Sequence, residues 1–306
     1  MTTLSNFPGG FNSGVSLRNV PLYEVFGNNV YWVSSSTGLN GNNGTRNKPF
    51  ATLAYALTIC ATGKGDVIMI KPGHTETVAA AAGITFGTIT GVTVIGLGSG
   101  ALRPTFNFTA TASTITMTAA SSTIRNCLFT GGIDAVVSWL VVSAADCALI
   151  DCEYRDVTGQ CTDGILTTAA ANRLMIKNFR HEGDTAAGTN AGIAIVGGDG
   201  IVIEGLRMDG NFAVGGVDIR TTATTDMEIR DVVFRTRNAA DIFLVDTITA
   251  STGVIGPNIN LRLQDNAANI TEALTGATFV YHLPISIVNL AGEVGMSTNI
   301  TASTDA

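Results

Sequence analysis

Charged residues are scarce in this chain of 306 residues, where they make up only 13% of the sequence. The net charge is −7 at pH 7, which argues against a nucleic-acid-binding protein, because such a protein would show a basic stripe that neutralises phosphates. So few charges also disfavour long surface helices, which are usually rich in Glu, Lys and Arg. We therefore expect a chain dominated by strands and turns, with no nucleic-acid partner.

Long hydrophobic runs are also missing. No stretch of about 18 apolar residues occurs, so we expect no membrane span. The N-terminus "MTTLSNFPGG" has no basic stretch followed by an apolar one, so we expect no secretory signal. The odd cysteine count and the lack of a Cys-x-x-Cys motif predict neither a disulfide framework nor a zinc site, and we expect buried thiols and no cofactor. The cysteines are Cys60, Cys127, Cys147, Cys152 and Cys161.

One short pattern returns along the chain: an apolar residue, then any residue, then Asn, Asp or Gly, then further apolar residues. It begins at positions 94, 124, 149, 176, 203, 229 and 255, which gives intervals of 25 to 30 residues. A period of this size is typical of a solenoid. Each period also holds a second strand-like run, such as "GILTT" at 164 and "GIAIV" at 192. Two or three short strands per period predict an all-β fold, a parallel β-helix of about seven coils.

The alignment of the repeats predicts where individual residues point. Cys127 and Cys152 occupy the same position in successive coils and should stack inside the rod. Glu204 falls on an outward position between Lys177 and Arg230, which predicts a ladder of ion pairs. The turn position should favour left-handed backbone, and in the last repeat it falls on Pro257. In the preceding repeats it holds Asn126, Asp151, Asn178, Gly205 and Asp231.

The two ends of the chain differ from the repeats. Residues 48–61, "KPFATLAYALTICA", carry apolar side chains at helical spacing and predict a short helix that caps the N-terminal end. We place the β-helix at residues 29–284, an arm at 1–28 and a polar tail at 285–306. The arm has too many Gly and Asn residues to fold alone. We expect it to bury its apolar side chains on a neighbouring subunit or on a larger protein shell. These predicted contacts are Phe7, Phe11, Leu17, Val20, Leu22 and Phe26.

Carboxylates are the best candidates for chemistry. A glycoside hydrolase would need two of them on one outer face, and three aspartates lie near the second strand-like runs, but their offsets place them in different rows. The segment "DCEYRD" at 151–156 is the densest acidic cluster, and its first aspartate already has a turn role. His74 lacks a Ser or Cys partner at a recognisable spacing. We therefore predict no catalytic, cofactor-binding or metal-binding residues. The carboxylates considered are Asp163, Asp218, Asp241, Glu153 and Glu204.

The segments "VYWVSSSTGLNGNNGTRNKPFATLAYAL", "GDVIMIKPGHTETV" and "VTVIGLGSGALRPTF" resemble right-handed parallel β-helix structural proteins from the virions of tailed bacteriophages. The resemblance implies a non-enzymatic capsid decoration or cement protein, anchored by its terminal arms to the major capsid protein or another virion protein. It also implies a homotrimer located on the virion, on the capsid surface rather than the tail. The alternative is a tailspike-like polysaccharide depolymerase or a glycan-binding protein.

Overall fold

The computed structural model describes residues 16–17, 20–21, 29–156, 161–183, 189–236, 242–248, 250–263, 274–275, 278–289 and 292–294. Two short antiparallel strands, Ser16–Leu17 and Val20–Pro21, contain two of the predicted arm contacts. The other four predicted contacts lie outside the described residues: Phe7, Phe11, Leu22 and Phe26.

Three long sheets wind around a common interior, and the chain visits them in the order sheet 1, sheet 2 and sheet 3 in most coils. The strands of sheet 1, all parallel, are Val30–Val33, Val67–Ile70, Thr93–Gly96, Thr123–Arg125, Ala148–Ile150, Met175–Lys177, Val202–Glu204, Met227–Arg230, Gly253–Ile255 and Phe279–Tyr281. The strands of sheet 2 are Thr75–Val78, Thr105–Phe108, Leu128–Gly131, Glu153–Asp156, Arg180–Glu182, Arg207–Gly210, Val232–Thr236, Ile259–Leu263, Ile285–Asn289 and the antiparallel Gly292–Val294.

Sheet 3 has seven parallel strands: Ile84–Thr85, Ile115–Met117, Ser138–Val142, Asp163–Thr167, Thr189–Ile195, Phe212–Ile219 and Leu244–Asp246. A further pair of short strands, Gly198–Asp199 and Thr224–Thr225, lies between sheets 3 and 1. The fold is thus an all-β parallel β-helix of about eight turns, which confirms the predicted class and is close to the predicted coil number.

The strand register confirms the repeat alignment read from the sequence. The leading apolar residues pair one above another in sheet 1, from Val94 through Ile124 to Ile255. The side chains of Cys127 and Cys152 lie inside the rod and are at most 1% exposed. Because each inward row meets the same interior environment in every coil, each of these inward positions needs an apolar residue in every period.

The turn position adopts left-handed backbone, as predicted. Asn126, Asp151, Asn178, Gly205 and Asp231 all have φ between 52° and 70°. The last repeat differs from the prediction, because one extra residue moves the turn from Pro257 to Asn258, which has φ 63°. The Asn258 amide donates to the Asp231 carboxylate at 2.8 Å, so the polar ladder continues past the insertion.

The predicted outward ladder is also present in sheet 1. Glu204 lies between Lys177 and Arg230, with one carboxylate oxygen 2.9 Å from each cation. These hydrogen bonds hold the pKa of Glu204 below its usual range. The side chains are partly exposed, so the ladder adds little to stability.

The predicted N-terminal helix is shorter than expected and spans Leu53–Ile59. Thr52 is its N-cap, and Pro49 and Phe50 precede it, with Phe50 paired in a bridge to Val33. At the other end, the strand Ile285–Asn289 continues sheet 2 beyond residue 284, where we placed the end of the β-helix. No helix within the described part of the chain is long and apolar enough to cross a membrane.

Candidate functional site

Two buried aspartates on the outside of sheet 3 meet at one arginine. Asp218 alternates with Val217 and Ile219, which are buried in the interior, so its side chain faces outward. Asp163 faces the same way, because the next residue, Gly164, points towards the interior and would place a Cβ near His181. Different nitrogens of the Arg220 guanidinium contact the two carboxylates, at 3.4 Å for Asp218.

Small side chains make this convergence possible. Asp163 pairs with Ala191 on the next coil, and Ala194 pairs with Asp218 on the coil after it. The guanidinium of Arg220 therefore reaches back across the intervening coil to Asp163. The aspartates do lie in different rows, as the sequence predicted, but the length of the arginine side chain brings them together. Because both contact one guanidinium, they are no further apart than the roughly 5 to 10 Å used by glycosidase acid pairs.

The electrostatics of the two carboxyl groups differ. The side chain of Asp218 is 5% exposed, and burial raises its pKa, although Arg220 opposes this shift and Asp163 reinforces it. Asp163 makes the closer contact with Arg220, and its second oxygen is buried without a hydrogen-bond partner. The guanidinium is 30% exposed, so the group can be reached from solvent. One carboxyl with a raised pKa beside a second carboxylate is the arrangement that divides acid and base roles between two residues.

The other sequence candidates do not join this pair. Asp241 lies outside the described residues, and Glu204 belongs to the ladder of sheet 1. Glu153 lies on sheet 2 between Arg103 and Arg155 and forms an ion pair with each. Burial alone would raise its pKa, but the hydrogen bonds and charges of the two arginines outweigh burial and lower it.

The acidic segment 151–156 does not converge on one point. Asp151 is in the turn ladder, where Asn178 donates to it at 2.9 Å, and Glu153 faces outward towards its arginines. Asp156 instead accepts a hydrogen bond from the buried Tyr154 hydroxyl at 2.8 Å. This segment therefore offers no calcium site formed by its three acids together.

His74 has a structural role next to the N-terminal helix. Its Nε2 lies 3.2 Å from the carboxylate of Glu76, and its ring is buried. Glu76 accepts hydrogen bonds from the backbone N–H groups of Leu53 and Ala54, at 2.7 and 3.3 Å. The turn "PGHTET" thus satisfies the N-terminal donors of the helix.

A second polar cluster lies inside the rod, and only one of its members, Asp156 in the acidic segment 151–156, was a candidate from the sequence. One potential ligand atom from each of Asp156, Cys161 and His181 lies within 4.8 Å of the others. Burial raises the pKa of the Cys161 thiol well above its ordinary value. His181 replaces the aromatic or apolar residue that Phe129, Tyr154 and other coils place in the same inward row of sheet 2. That replacement is the one sequence signal that could have revealed the cluster.

The outer face of sheet 2 carries a band of arginines, which we call the arginine band: Arg180, Arg207, Arg235 and Arg262. They line one open cleft. Arg180 pairs with Arg207 on adjacent strands, and Arg235 pairs with Arg262. Within the described residues, Arg180 has an ion pair with Glu182 at 3.4 Å, while Arg207 and Arg262 form none. Neighbouring like charges on strands roughly 4.8 Å apart favour an anion between them.

Comparison with known proteins found no matching family model and no similar curated protein. Two solved structures are similar. A rhamnogalacturonan lyase matches with a TM-score of 0.48 and 12% identity, over 83% of this chain and 87% of its own. A GH136 lacto-N-biosidase from Eubacterium ramulus matches with a TM-score of 0.45 and 12% identity, over 85% of this chain and 60% of its own.

These similarities change two sequence-based predictions. Both structures are enzymes by name, which contradicts the prediction that this chain is not an enzyme, and we withdraw it. No comparison connects the chain with bacteriophage virion proteins, so the parallel β-helix is retained from that resemblance, without the virion role. Neither similarity assigns a substrate to this chain.

Proposed function

We propose that this protein is a polysaccharide depolymerase that hydrolyses glycosidic bonds at Asp163 and Asp218. The observation that carries the proposal is the pair of buried carboxyl groups that share Arg220 on the outer face of sheet 3. A solvated ladder of charges would leave its carboxylates partly exposed, as Glu204 is, whereas these two are at most 10% exposed. Burying two like charges is costly, and the one guanidinium that they share carries only a single compensating charge.

The roles follow from the two environments. Asp218 has the raised pKa, so it holds a proton at higher pH than an ordinary aspartate and donates it to the leaving oxygen. Asp163 is the second carboxylate, acting as base or nucleophile on the other side of the bond. Arg220 holds the two side chains in place and offers its exposed edge to the substrate. The open outer face of the rod suits an extended chain of sugars.

The test is incubation of the purified protein with a panel of acidic and neutral bacterial polysaccharides. We expect new reducing ends without unsaturated products. The variants Asp163→Asn and Asp218→Asn should each lower the rate by about 100-fold or more, as expected for loss of a general acid or base. The matched control is Asp146→Asn, which breaks another carboxylate–arginine pair, with Arg173, away from this site.

The proposal fails if the wild-type protein releases no product from the panel. It also fails if the control variant loses as much activity as the two aspartate variants, because the effect would then be general. Unsaturated products would indicate a lyase reaction and would remove the hydrolytic roles of both aspartates.

A second candidate function is the binding of an acidic glycan, and the arginine band is the observation that favours it. Arg207 and Arg262 have no ion pair within the described residues and lie beside other cations. The variants Arg207→Ala and Arg262→Ala should weaken binding to a polyuronate and reduce its salt dependence, while Arg173→Ala on another face should not. Equal binding by all three variants would rule out this band as the site.

The virion location remains a proposal that rests on the sequence resemblance alone, together with trimer formation and contact with a capsid protein. A polysaccharide depolymerase on a virion would correspond to the tailspike-like alternative. Immunogold labelling of virions with an antibody against this chain would test the location. Labelling of the tail would agree with depolymerase activity, labelling of the head would favour capsid decoration, and no labelling would end the virion proposal.

A further inference from the structure

We propose that Asp156, Cys161 and His181 form a structural binding site for a divalent transition metal of the Zn²⁺ type inside the β-helix. Their ligand atoms all lie within 4.8 Å of one another, and each of these residues carries a donor that zinc accepts. The three residues come from two successive coils. Asp156 ends one strand of sheet 2, His181 lies on the next strand of that sheet, and Cys161 comes just before sheet 3.

The geometry is close to that of a metal centre. Tetrahedral zinc with bonds of roughly 2.0 to 2.3 Å separates its ligand atoms by roughly 3.3 to 3.8 Å. Nε2 of His181 is already 3.7 Å from Oδ2 of Asp156. This distance is too long for a hydrogen bond and fits two ligands of one ion. A small movement of the Cys161 side chain would complete three protein ligands.

The unpartnered atoms point to the same conclusion. His181 is 1% exposed, yet neither ring nitrogen has a hydrogen-bond partner, and Oδ2 of Asp156 is also buried and unpartnered. Oδ1 of Asp156, in contrast, accepts hydrogen bonds from the Tyr154 hydroxyl at 2.8 Å and from the Cys161 N–H at 3.1 Å. The carboxylate is therefore oriented by outer partners, while its free oxygen faces the imidazole, as in known metal sites.

The chemistry of the ligands selects the ion. A thiolate and an imidazole favour zinc and related metals over calcium or magnesium, which prefer oxygen ligands. One thiolate and one carboxylate neutralise a divalent cation, so the complete centre carries no net charge into the interior. Cys161 is fully buried, so a substrate cannot reach the thiol and a role as a nucleophile is excluded. The metal would instead tie the start of the strand Asp163–Thr167 to sheet 2.

Zinc content provides the test. The protein is purified under reducing conditions, incubated with one equivalent of Zn²⁺, desalted and measured by atomic emission. We expect about one zinc ion per chain in the wild type, and a loss of affinity of more than about tenfold in Cys161→Ser and His181→Gln. The matched control is Cys152→Ser, because Cys152 is an equally buried thiol in the same coil that lies outside the cluster. It should retain its zinc.

A second measurement does not depend on the stability of the variants. Co²⁺ added to the wild-type protein should give a thiolate-to-cobalt charge-transfer band and the intense visible absorption of a tetrahedral site. A folded wild-type protein that takes up neither Zn²⁺ nor Co²⁺ would overturn the proposal, as would equal zinc loss in Cys152→Ser. The centre is independent of the proposed hydrolase, so Asp218→Asn should bind zinc as the wild type does.

Discussion

Removal of the Arg220 guanidinium should destabilise the protein strongly and in a pH-dependent way. In Arg220→Met, the carboxylates of Asp163 and Asp218 lose their shared cation, while their side chains are only 10% and 5% exposed. Removing one partner of a fully buried ion pair costs about 3 to 5 kcal/mol. Because Arg220 is itself 30% exposed and partly screened by solvent, we expect a loss of about 2 to 3 kcal/mol at neutral pH.

The pH dependence follows from Asp218. Burial raises the pKa of this carboxyl group, and Arg220 only partly opposes the rise. Without the arginine, the folded state should hold the proton of Asp218 to still higher pH, while the unfolded state releases it at the ordinary pKa of an aspartate. Between these two pKa values the folded state binds more protons, so stability falls as the pH rises. The variant should therefore lose more stability at about pH 8 than at about pH 5.

Urea unfolding followed by far-ultraviolet circular dichroism measures both effects. The triple variant Arg220→Met with Asp163→Asn and Asp218→Asn is the control, because it removes the charges together and should recover most of the lost stability. A cost below about 0.5 kcal/mol for Arg220→Met would match an exposed surface pair and refute the buried site. An equal cost at both pH values would refute the assignment of the raised pKa to Asp218.

Three further predictions concern the rod itself. Asn126→Ala should lower the free energy of unfolding by about 2 to 4 kcal/mol, as measured by chemical denaturation. Alanine disfavours φ 54°, and it lacks the amide that donates to two carbonyls of the preceding coil. Asn126→Gly should cost about 1 kcal/mol less, because glycine tolerates this backbone conformation. The pKa of Glu153 is lowered in the folded state, so its ion pairs contribute stability that is lost as the pH falls through that pKa. Glu153→Gln should therefore flatten the acid side of a plot of Tm against pH. Cys127 and Cys152 should resist alkylation until denaturant is added, since burial raises both pKa values, that of Cys152 to about 12.

The coil architecture could be predicted from the sequence because a β-helix repeats the same demands. Each inward position needs an apolar residue and each tight turn needs a residue that tolerates positive φ, so the same residue types return at fixed intervals. The turn ladder from Asn126 to Asp231 is visible for that reason. The turn of the last repeat is the exception: the spacing predicts it at Pro257, whose fixed φ cannot adopt the left-handed conformation, and one extra residue moves it to Asn258.

The acid pair could not be predicted in the same way. Asp163 and Asp218 are 55 residues apart and lie in different rows, and alternation along the strand would place Asp163 inside. A local change of side, with Gly164 and Ile165 both facing inward, puts Asp163 on the outer face. The contact then depends on the reach of Arg220 over a coil of small side chains. None of these features appears in a pattern of residue types.

Polar residues that interrupt an otherwise apolar row indicate the candidate sites of this molecule better than any sequence motif does. Asp218 interrupts an outer row that holds Val141, Leu166, Ala194 and Val245. A buried polar side chain costs free energy unless a partner or a ligand compensates, and most neighbouring coils avoid that cost. His181 interrupts the inward aromatic row in the same way. Gly164 lies beside Asp163 on the same strand, and a Cβ there would come within 2.2 Å of the Gly192 carbonyl oxygen and 3.4 Å of the His181 ring. The backbone of the strand Asp163–Thr167 thus separates Asp163 on the outer face from the buried cluster inside the rod.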